Sequence, residues 1–450
     1  MSLRFTKTSL STQGLMLLVA AAGCGRYSAN HLALAEDGFK AGNYRVAIVE
    51  YEKAVRFSPN DPRAIRQLGL AHFRLGQLDP ALAFLEKAQE LTPDDPEAQL
   101  TLADAYVAQR RFDAAKKVLD AVLSKHPGNP DALARLGSTY LVQREPEKAA
   151  EAYREMIQRS PNNPQGHYLL GLSLRAQKKI PEATSEFETA VRLGPALIEP
   201  IAQLVEMDLI AQKPDAALAR VQRQISVVGD SARLVDLLGV VYAARGQNEL
   251  AEKAFLKSAA LQPTLADPLA RLAQLYSSKG DDNAARAKAA EAIKLEPNNT
   301  AALMVLGLAS QRRADPATAR KYYEQALSVD STSVVAANNL ALLLAENGGS
   351  PVRALELAEV ARAAAPDDPH VMDTYGWVLY RGGNYEKAIS ILRSSAAKLG
   401  NAPTVQYHFG MAAAKTGDTT TAKRALALAI NSSVAFPEKD AAKKALAALR

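Results

Sequence analysis

Residues 130–161 read PDALARLGSTYLVQREPEKAAEAYREMIQRSP. The stretch is a helix, a turn and a second helix. Small residues, Gly137 and Ala149, sit where the two helices touch, while Leu136, Tyr140 and Tyr153 fill the space between them. Pro161 stops the second helix, because a proline there cannot continue the hydrogen-bond ladder. A helix pair of this kind has two apolar sides and cannot bury both alone, so it predicts copies of itself on either side.

The copies are present. Motifs begin at residues 28, 62, 96, 130, 164, 198, 232, 266, 300, 334, 369 and 403, at intervals of 34 with a single interval of 35. The eighth place is small in eleven of the twelve (Gly69, Gly137 and Gly171 among them), with Val205 the exception, and the twentieth place is alanine throughout. Where helix axes come closest a larger side chain forces them apart, which explains both columns. Bulky residues four places after the alanine, such as Tyr51, Leu85, Leu119, Phe187, Phe255 and Tyr323, are expected to face the next layer. Asp61-Pro62, Asp95-Pro96, Asn129-Pro130, Asn163-Pro164 and Asp368-Pro369 read as a helix cap followed by a first-turn proline.

These columns resemble the tetratricopeptide repeat family over residues 28–436. The resemblance implies an all-α protein, an α-solenoid superhelix of about twelve helix-turn-helix repeats. Residues 437–450 have the spacing of a final amphipathic capping helix with a Lys- and Arg-rich outer face. The sixth unit, residues 198–231, departs most, with Val205, Asp208, Gln224 and Gly229 at pattern positions, and reads either as a softer joint or as drift within a packed repeat. The extra residue of the tenth unit falls in the turn Asn347-Gly348-Gly349-Ser350-Pro351, where an insertion leaves the stack intact.

Composition agrees: 48% apolar, 23% charged and only 6% aromatic suits packed helices. The formal charge of +6 loses two units, to +4, if a leader holding Arg4 and Lys7 is removed. Basic and acidic residues alternate along the helices rather than gathering in a patch, which argues against a nucleic-acid partner.

Residues 1–23 read as a bacterial export signal, with Arg4 and Lys7 before the apolar run LMLLVAAA, which is too short to span a bilayer. The run ends Ala21-Ala22-Gly23-Cys24, which resembles the lipobox of bacterial lipoproteins. That resemblance implies that Cys24 is acylated, that residues 24–27 form a lipidated tether, and, from Gly25, an outer-membrane lipoprotein facing the periplasm. Ala21 stands where that family prefers leucine, so ordinary cleavage after Ala20-Ala21-Ala22 and a soluble periplasmic or secreted protein is the competing reading. Cys24 is the chain's one cysteine, so no internal disulfide forms and the thiol is accounted for by acyl chains.

Chemistry is not apparent. His31, His72, His126, His167, His370 and His408 are scattered, with no helix-spaced pair and no cysteine partner, so neither metal nor cofactor is expected. The segment GMAAAKT at 410–416 lacks the glycine before lysine of a phosphate loop, and Gly171-Leu172-Ser173-Leu174 lacks the closing glycine of a nucleophile elbow. The chain is expected to be no enzyme and to have no small-molecule substrate.

In the repeat family the first helices line a concave groove, with places 2, 5, 9 and 12 pointing into it. Through the last three units these places give Asn338, Leu342, Asp373, Trp377, Tyr380, Tyr407 and Met411, including the only tryptophan. Such a cluster is a candidate seat for an extended peptide or a partner's helix. Packing of Trp377 and Tyr380 against the neighbouring helix or the chain end, as ordinary core, is the equal alternative. A second, weaker patch comprises Arg66, Leu70, Phe73, Leu100 and Asp104, and the carboxylate-clamp pairing of Lys at place 5 with Asn at place 9 is missing.

The phrases NNLALLLAENGG, DTYGWVLYRGGNYEKAI and VQYHFGMAAAKTGD, within residues 338–418, are similar to the ends of tetratricopeptide lipoproteins of exopolysaccharide and PEP-CTERM sorting systems. This implies a membrane-tethered, non-enzymatic scaffold for protein or peptide partners in an envelope assembly, export or polysaccharide system. A pilotin-like factor escorting a secretin or pilus subunit is the alternative, and an enzyme subunit the third.

Overall fold

The computed structural model describes residues 27–449, which form twenty-five α-helices and no strand. The leader at 1–23 and the candidate lipid site Cys24 lie outside the described residues. The chain divides into two compact units, Met1–Ile210 and Ala211–Arg450, with the division between the two helices of the sixth repeat. Each unit is a stack of helix pairs. We call the first helix of a repeat A and the second B.

The A helices begin where the repeat register puts them, for example at Pro62, Pro96, Pro130, Pro164, Pro369 and Pro403. The reason is local. Asp61 accepts hydrogen bonds from the N–H groups of Arg63 and Ala64, and Asn129 from those of Asp131 and Ala132. Asp368 does the same for His370 and Val371. Each cap satisfies donors that a helix start leaves free, and the proline after it has no N–H to satisfy.

All twelve alanines of the twentieth place are buried, from Ala47 through Ala422. The bulky residues four places later have a different setting from the one expected of them. A Cβ added at Gly171 would stand 2.5 Å from Phe187 Cε1; one at Gly137 would stand 2.4 Å from Tyr153, and one at Gly69 2.8 Å from Leu85 Cγ. Gly239 with Phe255 and Gly307 with Tyr323 repeat the arrangement. The ring at place 24 thus meets the glycine of its own repeat first and fixes the A–B spacing from within; it does not simply face the following layer. In these repeats glycine at place 8 leaves room for the bulky side chain that the partner helix carries at that level.

A feature of the intra-repeat turn emerges only from the backbone. The fifteenth place of every repeat is left-handed, with φ between 56° and 84°. Seven of these residues are glycine, and the other five are Arg110, Arg144, Lys178, Gln212 and Ala314. Among the described residues no helix is long and apolar enough to cross a membrane.

Candidate functional site at the C-terminal repeats

The second unit carries the aromatic cluster on the A helices Val334–Glu346, Pro369–Arg381 and Pro403–Lys415. Helical spacing puts Asp373, Trp377 and Tyr380 on one side of the middle helix, one turn apart. Trp377 lies in a three-ring stack. Tyr380 covers one neighbouring position at 4.7 Å between centroids and 5° between planes, and His408 another at 4.0 Å and 13°. Tyr407 tilts against the indole at 5.7 Å, and Phe436 tilts against Tyr407 at 6.4 Å.

His408 is fully buried. Its Nδ1 bonds to both carboxylate oxygens of Asp373, at 2.9 and 3.1 Å, so a residue of the last A helix is tied to the A helix before it. A buried polar pair of this kind is stabilising only when both members stay bonded. Burial pushes the hydroxyls of Tyr380 and Tyr407 above the usual phenol range. The carboxyl of Glu346, at the end of its A helix, is raised by burial and further by the Glu438 carboxylate.

The sequence-derived residues therefore do come together, but not as an open groove. Asp373, Trp377 and Tyr407 are buried, and only Asn338, Leu342, Tyr380 and Met411 keep partial exposure. Of the two readings of Trp377, groove surface and packed core, the structure has the second: its ring is packed into the stack, and it is 4% exposed. What covers the cluster is the chain's own end. Phe436 and Ala442 are buried in the same apolar cluster as Trp377 and Tyr407, with Ala445, Leu446 and Leu449 packed against it. The expected capping helix is present as Lys439–Ala448.

Several polar atoms here are buried without a protein partner: Asn338 Oδ1, Trp377 Nε1, His408 Nε2 and Glu438 Oε2. His408 has no metal-ligand spacing in the sequence, so its role is not visible from spacing. Its place on the glycine-bearing A helix Pro403–Lys415, two residues before Gly410, was the available signal.

The second patch, in the first unit, is occupied by packing and ion pairs. Leu100 is buried, and Arg66 Nη1 lies 2.7 Å from Glu97 Oε2. Asp104 takes Arg135 Nε at 3.0 Å by both oxygens, and burial raises its carboxyl despite that cation. Among the described residues no group of three or more His, Cys, Asp or Glu side chains is placed to hold a metal ion.

Tetratricopeptide repeat models match residues 39–105, 100–164, 266–299 and 311–369. The chain is a tetratricopeptide repeat protein. Over 98 residues it is 37% identical to the probable biofilm formation methyltransferase WspC of Pseudomonas aeruginosa PAO1, a match covering 20% of this chain and 23% of that protein. The chain thus spans about a quarter of the length of that relative. Among solved structures, the APC/C hetero-tetramer Cut9-Hcn1 matches with TM-score 0.51 and 13% identity, covering 98% of this chain and 99% of the other, a likeness of fold. MamA matches with TM-score 0.34 and 24% identity over 38% of this chain and 92% of its own. Repeats of this family support a protein-interaction scaffold.

Proposed function

We propose that this repeat protein is a non-enzymatic scaffold that holds protein or peptide partners along the face lined by its A helices. It is tethered through acylated Cys24 to the outer membrane, faces the periplasm, and serves an envelope assembly, export or polysaccharide system. The tether and location draw support from the leader and its Ala-Ala-Gly-Cys ending. The pathway draws support from the three C-terminal phrases quoted above.

The observation that carries the scaffold reading is the series of ion pairs joining successive A helices. In the first unit Arg66 meets Glu97, Asp104 meets Arg135 and Arg175 meets Glu206, and in the second Asp236 meets Arg271, all within 2.7–3.0 Å. Each pair fixes charged side chains of neighbouring repeats on one face, giving a surface whose recognition is spread over several units. In-cell photocrosslinking from a reactive residue at Leu70, followed by mass spectrometry, is expected to recover the same few envelope proteins; adducts confined to the chain itself overturn the reading. Metabolic labelling with a fatty-acid analogue is expected to mark the wild type and not Cys24→Ser, and an unlabelled wild type removes the tether.

A further inference from the structure

The C-terminal segment does something a mere end cover need not do: it seats its apolar side on the A-helix places that point toward the partner face. Phe436 lies against Tyr407, and Ala442, Ala445, Leu446 and Leu449 join the cluster that includes Trp377, Tyr380, Leu342 and Met411. Residues 442, 446 and 449 are spaced as one helical stripe, so this is a helix laid in a groove, with an aromatic anchor ahead of it.

The seat is poorly matched to its occupant. The helix has ten residues, its N-cap Glu438 makes no side-chain capping bond, and Ala442 is its one buried residue. A helix that short is marginal in water without its groove. Docking leaves Glu438 Oε2 buried and unpartnered close to Glu346, whose carboxyl it raises. On the receiving side Trp377 Nε1, His408 Nε2 and Asn338 Oδ1 are also unsatisfied. Each such atom has given up its water without gaining a bond in exchange. An occupant that supplies an acceptor to the indole N–H and a donor to the Asn338 carbonyl binds the same groove better.

We infer that the A-helix face of the last three repeats is a helix-binding site which residues 436–449 fill as a tethered, exchangeable ligand. The partner that replaces them is an amphipathic helix of another protein, with an aromatic residue ahead of a stripe of small and branched apolar side chains. This rests on the scaffold reading and names the class of partner for one part of it.

The only tryptophan lies under the segment, so its emission reports docking. Two probes are used, hydrogen exchange on the full chain and a fluorescently labelled synthetic peptide of residues 432–450. The amides of 439–448 are expected to exchange at least tenfold faster than those of the adjoining helix Thr419–Asn431. The chain ending at Ser433 is expected to bind the peptide at least tenfold more tightly than the full chain, because the tethered copy competes from an effective concentration on the order of millimolar. A peptide carrying Phe436→Ala is expected to lose that binding. If the shortened chain keeps its far-UV dichroism and does not bind, or if 439–448 exchanges as slowly as its neighbour, the inference falls. If the shortened chain does not fold, full-length Phe436→Ala takes its place: it should bind the wild-type peptide more tightly than the wild-type chain does, and no gain overturns the inference. The crosslinking test at Leu70 lies in the other unit, so its outcome is independent of this one.

Discussion

The imidazole of His408 lies on the indole of Trp377 with 4.0 Å between ring centroids, and Asp373 holds that imidazole in place through Nδ1. Removing the carboxylate leaves a fully buried ring nitrogen without its partner. Asp373→Ala is expected to destabilise the second unit by about 1–3 kcal/mol, and Asp373→Asn, which keeps an acceptor, by less. Urea unfolding followed by Trp377 emission measures both, and equal losses would show that the bond contributes little.

The glycine and ring within each repeat give a second test. Gly171→Ala puts a methyl group where Phe187 already stands, and overpacking of that kind costs about 1–3 kcal/mol. Phe187→Leu in the same chain is expected to recover part of the loss, since the third repeat already carries Ala103 at place 8 and Leu119 at place 24, both buried in one apolar cluster. Thermal melts of the two single variants and the double variant decide it; additive losses would exclude the pairing.

At the fifteenth place, Ala314 holds φ at 56°. A left-handed non-glycine residue carries about 1–2 kcal/mol of strain, offset in part by the freedom glycine adds to the unfolded chain. Ala314→Gly is therefore expected to stabilise the chain by up to about 1 kcal/mol, read as a higher urea midpoint. A lower midpoint would refute the strain.

Asp236 gives a pH dependence with a definite sign. Burial, opposed by Arg271 and reinforced by Asp267, pushes its carboxyl up to about 6 from a usual 3.8. Oδ2 accepts from Arg271 Nε at 2.9 Å while Oδ1 has no partner. A raised carboxyl binds its proton more tightly in the folded state, so its stabilising share is complete below about pH 3.8 and is lost as pH rises past about 6. The loss amounts to about 3 kcal/mol at most. Asp236→Asn is expected to flatten the difference in melting temperature between pH 4 and pH 7, whereas parallel curves for variant and wild type would contradict the burial effect.

The columns at places 8 and 20 gave the register and the buried alanines, because each is a steric requirement that recurs through the array, and the Asp-Pro and Asn-Pro junctions gave the helix starts and caps. The left-handed fifteenth place was not legible, since arginine, lysine, glutamine and alanine there disguise a backbone need that glycine meets in the other repeats. Direction within the repeat was also hidden: Phe187 is visibly large, but its approach to Gly171 appears only in the folded chain. At the C-terminal cluster, register placed Trp377 on the correct side of its helix. It left packing under the chain end as one of two equal readings and could not choose between them, because that contact joins an irregular tail to the repeats and has no period to fix it.

The glycine and the ring it admits belong to the same 34 residues. A gene duplication or deletion bounded by the Asp-Pro and Asn-Pro junctions therefore carries both complementary halves together or removes both. Chains built this way can lengthen or shorten during descent without any neighbour having to adapt its interior, whereas the tail that covers the last repeat must be kept or reinvented each time.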